Sequence, residues 1–217
     1  MYLLNLFIAE PLTAITDYLL TVAALFFFLR LRKKAENKEY IKSWSYFFLF
    51  TGISTFFGGL AHSFHLKEGT TYLEIWISMQ LFGGLAIFFA QKGGLESECH
   101  PKGQKLFVKL TGIQLILFTI SVLIFFSFKT VVINSVVTLS ILLVLYFPRE
   151  LLQWNYRYLV TIGILTSFLT ALVNIKKIIL APWFNQHDLS HVIMYLSLLL
   201  IYSGIKYKHN NQSLFTK

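Results

Sequence analysis

Seven long apolar runs dominate this sequence, and they restrict it to folds built from membrane-spanning helices. A helix needs about 20 apolar residues to cross the hydrocarbon layer of a bilayer. By that measure, spans are predicted near residues 10–31, 43–64, 72–91, 106–128, 130–147, 155–180 and 188–206. The fifth follows a hinge of only a few residues, and without it the chain would have six spans. We therefore expect an all-α membrane protein, a single seven-helix transmembrane bundle that occupies residues 1–217.

The composition agrees with a chain that is surrounded by lipid. Hydrophobic residues make up 56% of the sequence and charged residues only 13%, whereas about a quarter of the residues of a soluble domain are charged. The net charge of +9 does not indicate nucleic-acid binding, because the cations lie in short clusters between the apolar runs. The first run contains Glu10 and Asp17 and has no basic segment before it, so we interpret it as a span and not as a signal peptide.

The distribution of cations predicts how the bundle is oriented, because loops rich in Lys and Arg stay in the cytoplasm. Cations cluster after the first, third, fifth and seventh spans, and the opposite loops contain fewer. The first set is Arg30, Arg32, Lys33, Lys34, Lys38, Lys42, Lys92, Lys102, Lys105, Arg149, Arg157, Lys206, Lys208 and Lys217, and the second is Lys67, Lys129, Lys176 and Lys177. We expect the N-terminus outside and the C-terminus in the cytoplasm.

Ionisable side chains within membrane spans are costly, and here they concentrate at one predicted face of the membrane. Glu10, Thr13 and Asp17 follow one another at spacings of three and four, so they share one stripe of the first helix. His62 lies at the end of the second helix, which returns to the same face. The third helix begins there with Glu74, and the seventh begins there with His187, Asp188 and His191.

The histidines have the spacing of metal ligands. His187 and His191 are four residues apart, which places both imidazoles on one side of a helix. His62 would complete a three-histidine zinc site, whose fourth position is free for a water molecule of lowered pKa. Cys99 is the only cysteine, so a thiolate cluster is excluded. Among Asp17, Glu10, Glu74 and Asp188 as partners of that water, we favour Asp17, which lies deepest in its span.

Each of these residues also has an ordinary structural interpretation. Two histidines four residues apart near a helix start can form a polar turn at the membrane interface. Asp188 suits an N-cap that complements the helix dipole, and Glu10 before Pro11 suits a helix start. Glu74 near Tyr72 suits the interface. His62 is harder to explain in this way, because Gly58 and Gly59 before it allow a close helix approach.

The positions of His62, His187 and His191 resemble those in the CREST superfamily of seven-helix membrane hydrolases. This superfamily includes the alkaline ceramidases and the progestin and adiponectin receptors. The resemblance implies that the three histidines bind a zinc ion that activates water against a lipid amide. The segment from Glu10 to Asp17 is also similar to bacterial relatives of the ceramidases. The resemblance covers the whole bundle in its topology, but its motifs occupy only about three short segments.

Two positions depart from the pattern of that superfamily. Members often have a serine four residues before the second-helix histidine, where this sequence has Gly58, with Ser54 one turn earlier. The auxiliary aspartate of the superfamily usually lies in the second or third helix. This sequence offers Glu74 in the third and Asp17 in the first, and Asp17 is the one we expect to act.

These observations predict a zinc-dependent hydrolase in the bilayer that cleaves a lipid amide, with Asp17 and Glu10 as catalytic acids and His62, His187 and His191 as metal ligands. The alternative is a receptor or sensor whose metal site is structural. A retinal protein would need a lysine midway along the last helix, but Lys206 lies at its end. A bis-histidine haem protein would need histidines on facing helices, but His187 and His191 lie on the same helix. We expect a multi-pass protein of a bacterial inner membrane, with a membrane lipid as substrate and no nucleic-acid partner. The oligomeric state stays open.

Overall fold

The computed structural model describes residues 9–35, 38–64, 70–147 and 156–212. These residues form seven α-helices, with one isolated bridge between Ala181 and Phe184. Of the cations that predict the orientation, Lys67, Arg149 and Lys217 lie outside the described residues. The helices are α1 Pro11–Arg32, α2 Glu39–Ser63, α3 Thr70–Glu98, α4 Pro101–Phe125, α5 Phe128–Tyr146, α6 Tyr156–Lys176 and α7 Gln186–Gln212.

Six of these helices are long and apolar enough to cross a membrane, as expected for a multi-pass membrane protein. The uncertain fifth span is among them as α5. The helix that does not reach this level of hydropathy is α2, although it is 25 residues long. Its sequence is rich in Ser, Thr and Gly, which suit a helix that packs closely against others.

Several helices extend well beyond the apolar runs. The third was predicted over 72–91 and continues to Glu98, and the fourth was predicted from 106 and begins at Pro101. Polar residues can continue a helix once it has left the apolar layer, and Lys92 pairs with Glu96 one turn later at 3.6 Å. α3 ends at Glu98, and a new helix begins at Pro101, because proline is favoured at the first position of a helix.

The helices pack mainly as neighbours in sequence. α2 lies between α1 and α3, α6 packs along α7, and α1 also contacts α7. α4 is peripheral, since only Thr111, Phe118 and Val122 are buried among its residues. A groove of about 710 Å³ is lined by α4 and α5, which are joined by a hydrogen bond of 2.7 Å from Gln114 to Asn134.

Small residues of α2 allow α1 to approach closely. A side chain at Gly59 would lie 2.6 Å from the Tyr18 ring, and one at Gly52 would lie 3.2 Å from Leu25. Thr21 of α1 and Thr55 of α2 share a hydrogen bond of 2.9 Å between the same helices. The two helices therefore run side by side over most of their length.

A buried charged cluster lies at the end of the bundle where α3 and α7 finish. Glu98 accepts hydrogen bonds from Arg157 at 2.5 Å and from Lys208 at 2.6 Å. Ser97 joins it to the hydroxyl of Tyr146, which also contacts the Trp44 indole. This group, which we call the Glu98 cluster, connects α2, α3, α5, α6 and α7. The sequence interpretation assigned Arg157 and Lys208 only to topology and did not include Glu98.

Candidate metal and catalytic site

The three predicted metal ligands lie at the opposite end of the bundle. His62 belongs to the last turn of α2, and His187 and His191 belong to the first two turns of α7. The ring centres of His62 and His187 are 5.9 Å apart. Antiparallel packing of the helices thus brings together residues that are more than a hundred positions apart in sequence.

Glu10 is tied to His62 by its side chain and by its backbone. A carboxylate oxygen of Glu10 lies 3.0 Å from Nδ1 of His62, and the amide of Glu10 donates to the carbonyl oxygen of His62 at 3.0 Å. The hydrogen bond from His62 is the main cause that lowers the pKa of the Glu10 carboxyl below its ordinary value. Glu10 therefore orients an imidazole, with its own side chain half exposed.

Asp17 reaches His191 from the buried side of α1. Its side chain is nearly inaccessible, and its Oδ1 lies 3.4 Å from Nε2 of His191. Gly58 makes room for this carboxylate, because a Cβ at that position would lie 3.0 Å from Oδ2. The glycine that departs from the superfamily pattern is therefore the residue against which Asp17 packs.

Asp188 has a structural role that differs from the one expected. The N-cap of α7 is Asn185, whose side-chain oxygen accepts from the amides of His187 and Asp188 at 2.7 and 3.2 Å. Asp188 is the third helical residue, and its carboxylate accepts from the amide of Asn185 at 2.8 Å. These reciprocal bonds form a capping box. The other carboxylate oxygen accepts from Thr13 of α1 at 2.8 Å, so the capping group also fixes α1 against α7.

Two residues considered from the sequence lie away from this group. Glu74 is exposed at the start of α3, and it makes no ion pair or hydrogen bond with the part of the chain that the structure describes. Ser54, the nearest serine before His62 along α2, donates to the carbonyl oxygen of Met79 in α3 at 2.7 Å. Ser54 therefore joins α2 to α3.

A protein zinc site needs three or four donor atoms around one point. Within the described ranges, no three His, Cys, Asp or Glu side chains surround a common point as metal ligands do. Their chemistry nevertheless suits zinc, which prefers imidazole nitrogen and carboxylate oxygen in the absence of thiolates. By donor type, the three imidazoles of His62, His187 and His191 fit zinc, and the carboxylate of Asp17 lies beside them, 3.4 Å from His191.

Residues 12–210 match a family of unknown function, DUF6962. The chain belongs to this family. The DUF6962 match includes Asp17, His62, His187 and His191, while Glu10 lies just before its first residue. No curated protein and no solved structure matches the chain.

The site of this DUF6962 member also includes residues that the sequence interpretation missed. Thr16 lies 2.8 Å from Nδ1 of His191, Asn185 caps α7, and Gln186 lies 3.2 Å from Nε2 of His187. Thr16 lies one turn after Thr13 on the side of α1 that meets α7, but its hydroxyl carries no charge, so the search for ionisable side chains did not select it. One signal for Asn185 was available, because Asn followed three residues later by Asp is typical of a capped helix start.

Proposed function

We propose that the chain is a zinc-dependent membrane hydrolase that cleaves the amide of a long-chain lipid, like the ceramidases that it resembles. The observation that carries this proposal is the meeting of His62, His187, His191 and Asp17 at one end of the bundle. The lipid amide follows from the resemblance and from the position of the site at the ends of apolar helices, where lipid and water are both within reach.

His62, His187 and His191 are the residues that would hold the metal. A bound zinc ion supplies a Lewis acid for the carbonyl oxygen and a water of lowered pKa. The chain contributes the orientation of the ligands, since Glu10 contacts Nδ1 of His62 and leaves Nε2 for the metal. We therefore assign Glu10 to positioning and not to proton transfer.

Asp17 is the residue that we propose for proton transfer. A carboxylate that takes a proton from the attacking water and returns it to the leaving amine must lie close to the metal ligands and away from bulk water. Asp17 meets both conditions, because it contacts His191 and is buried between α1 and α2. Gly58 preserves the space that this carboxylate occupies.

The proposed topology has seven spans, with the N-terminus outside and the C-terminus in the cytoplasm of a bacterial cell. α2 must cross for this to hold, and its contacts support a crossing. It touches Tyr18 and Leu25 of α1 and Met79 of α3, and its Trp44 packs on Gly93 near the other end. A helix that runs beside two spans over this length is shielded from lipid, so it tolerates lower hydropathy. The metal site would then face the outside.

Hydrolysis by purified protein tests this proposal. Wild type in detergent micelles should release fatty acid from a ceramide, and His187→Ala should reduce the rate by about a hundredfold or more, since it removes a metal ligand. His209→Ala changes another histidine of α7 far from the site and should keep the wild-type rate. A ceramide-cleaving protein in which His187→Ala is as active as wild type would exclude the mechanism.

A second candidate is a receptor or sensor in which the metal is structural. The contacts that favour it are those that join helix ends, from Glu10 to His62 and from Thr13 to Asp188. A metal at the same place would fasten α1, α2 and α7 without turnover. Loss of thermal stability on zinc removal, in a protein that hydrolyses no lipid amide or ester, would favour this role over the hydrolase.

A further inference from the structure

We infer that Thr16 is a positioning residue that keeps a proton on Nδ1 of His191 and so presents the Nε2 atom of that ring to Asp17 and to a metal. The part that concerns the metal rests on the proposed function. The part that concerns the proton rests only on the contacts of Thr16.

The hydroxyl of Thr16 has a single proton, and only one placement of that proton satisfies both of its contacts. Oγ1 donates to the carbonyl oxygen of Thr13, one turn earlier in α1, at 2.9 Å. The same oxygen lies 2.8 Å from Nδ1 of His191. A carbonyl oxygen can only accept, so both hydrogen bonds form together only if the hydroxyl donates to Thr13 and accepts from the ring, and this arrangement places hydrogen on Nδ1.

The proton on Nδ1 does not depend on the charge of the ring. A neutral His191 with hydrogen on Nδ1 has a bare Nε2, and a charged His191 has hydrogen on both nitrogens. Either form donates from Nδ1 to Thr16, and only the Nε2 proton differs between them. Nε2 is the atom that lies 3.4 Å from Asp17. A metal ligand whose second nitrogen donates to a protein oxygen is fixed in both tautomer and ring orientation.

The position of Thr16 is itself held by the packing of α1 on α7. Thr13, one turn earlier, donates to the buried carboxylate of Asp188, which belongs to the capping box of α7. This bond sets which residues of α1 lie opposite the first turns of α7. Bonding to its own helix restricts the Thr16 side chain to a rotamer that places Oγ1 between Thr13 and His191. The ring is thus held by a hydroxyl that has little freedom to move.

Nitrogen-15 NMR of metal-free protein tests the proton assignment, because protonated and bare imidazole nitrogens resonate apart. The His191 signals can be identified by their loss in His191→Gln. Wild type should show hydrogen on Nδ1. Thr16→Val, which has nearly the same shape but no oxygen, should move the neutral ring partly or wholly to the other tautomer. Thr16→Ser should restore the wild-type spectrum. Thr166→Val removes a hydroxyl that bonds to its own helix in α6 and should change nothing at His191.

Zinc titration of the same variants tests the consequence. Zinc affinity should fall about 10- to 100-fold in Thr16→Val, as for other groups that orient a ligand, and return to within about threefold in Thr16→Ser. A wild-type His191 with a bare Nδ1, or a Thr16→Val spectrum and zinc affinity equal to wild type, would overturn the inference. A wild type that binds no zinc, while Thr16→Val still shifts the tautomer, would overturn the proposed function and leave the role of Thr16 in holding the proton intact.

Discussion

Gly58 and Asp17 pack against each other, because the carboxylate of Asp17 occupies the space that a side chain at position 58 would need. In Gly58→Ala the new Cβ would lie 3.0 Å from Oδ2 and 3.2 Å from Oδ1 of Asp17, so the carboxylate must move by a few tenths of an ångström. We expect this shift to lower lipid-amide hydrolysis about tenfold or more, since small displacements of catalytic groups have large effects on rate. The measurement is the steady-state rate on ceramide at saturating zinc.

Gly112→Ala provides the comparison for that variant. Gly112 also lies within a helix, but a Cβ there would meet no atom within 4 Å. This substitution should keep the full rate and slightly stabilise α4, because alanine favours the helix more than glycine does. A Gly58→Ala protein as active as Gly112→Ala would show that the position of Asp17 is unimportant to the chemistry.

The sequence revealed the histidines and Asp17 because ionisable groups in apolar spans are rare and costly. It did not reveal Thr16 or Asn185, since hydroxyl and amide side chains carry no such cost and occur throughout the spans. It assigned Asp188 to a capping role but to the wrong cap position, because the start of α7 could not be placed to within two residues. Roles that depend on which face of α1 meets α7 require the packed structure.

The helices are held together at the other end of the bundle by the Glu98 cluster. Glu98→Gln would remove the negative charge that pairs with Arg157 and Lys208, and the two cations would then lie beside a buried neutral side chain. Breaking a buried ion pair in this way costs about 3–5 kcal/mol, so we expect a clearly lower Tm in detergent. Because the cluster lies at the opposite end from the histidines, zinc content should not change at a temperature where the variant is folded.

Glu39→Gln is the corresponding change at an exposed ion pair. Glu39 pairs with Lys42 at 2.6 Å on the surface of α2, and such pairs contribute little to stability because water screens them. No measurable change of Tm is expected. Equal Tm values for Glu98→Gln and Glu39→Gln would show that the Glu98 cluster does not stabilise the bundle.

Apolar runs predicted the seven helices that the described residues form, because a helix must be about 20 apolar residues long to cross the hydrocarbon layer. They were poorer at predicting helix ends, as shown by α3, which continues past Gln91 to Glu98. Charged residues there looked like loop, yet no proline interrupts them before Pro101. Among the described helices, α2 falls short of the hydropathy of a membrane span, and its Ser, Thr and Gly residues suit packing against neighbouring helices.

The orientation of the bundle can be tested with single cysteines. Cys99→Ser gives a background without cysteine, because the chain has only one. In that background, Ala181→Cys lies in the connection between α6 and α7, and Lys33→Cys follows α1. A membrane-impermeable maleimide applied to intact cells should label the first, and should label the second only after the membrane is permeabilised.

The reverse labelling pattern would invert the topology and place the histidines in the cytoplasm. Labelling of both positions from outside would mean that an even number of crossings separates them, so that at least one of the five helices α2 to α6 does not cross. Since Lys33 and Ala181 are separated by α2 to α6, an odd number of crossings is what the seven-span bundle requires. The Cys99→Ser variant without an added cysteine should stay unlabelled, and it serves as the control for background labelling.

Metal content decides whether His62, His187 and His191 form a zinc site. Elemental mass spectrometry of the detergent-purified protein should find about one zinc per chain, as for a single four-coordinate site. A variant with His62→Ala, His187→Ala and His191→Ala should lose it, and a variant with His100→Ala and His209→Ala should retain it. Absence of zinc from wild type, or equal zinc in wild type and the triple variant, would contradict the three-histidine site and with it the hydrolase mechanism.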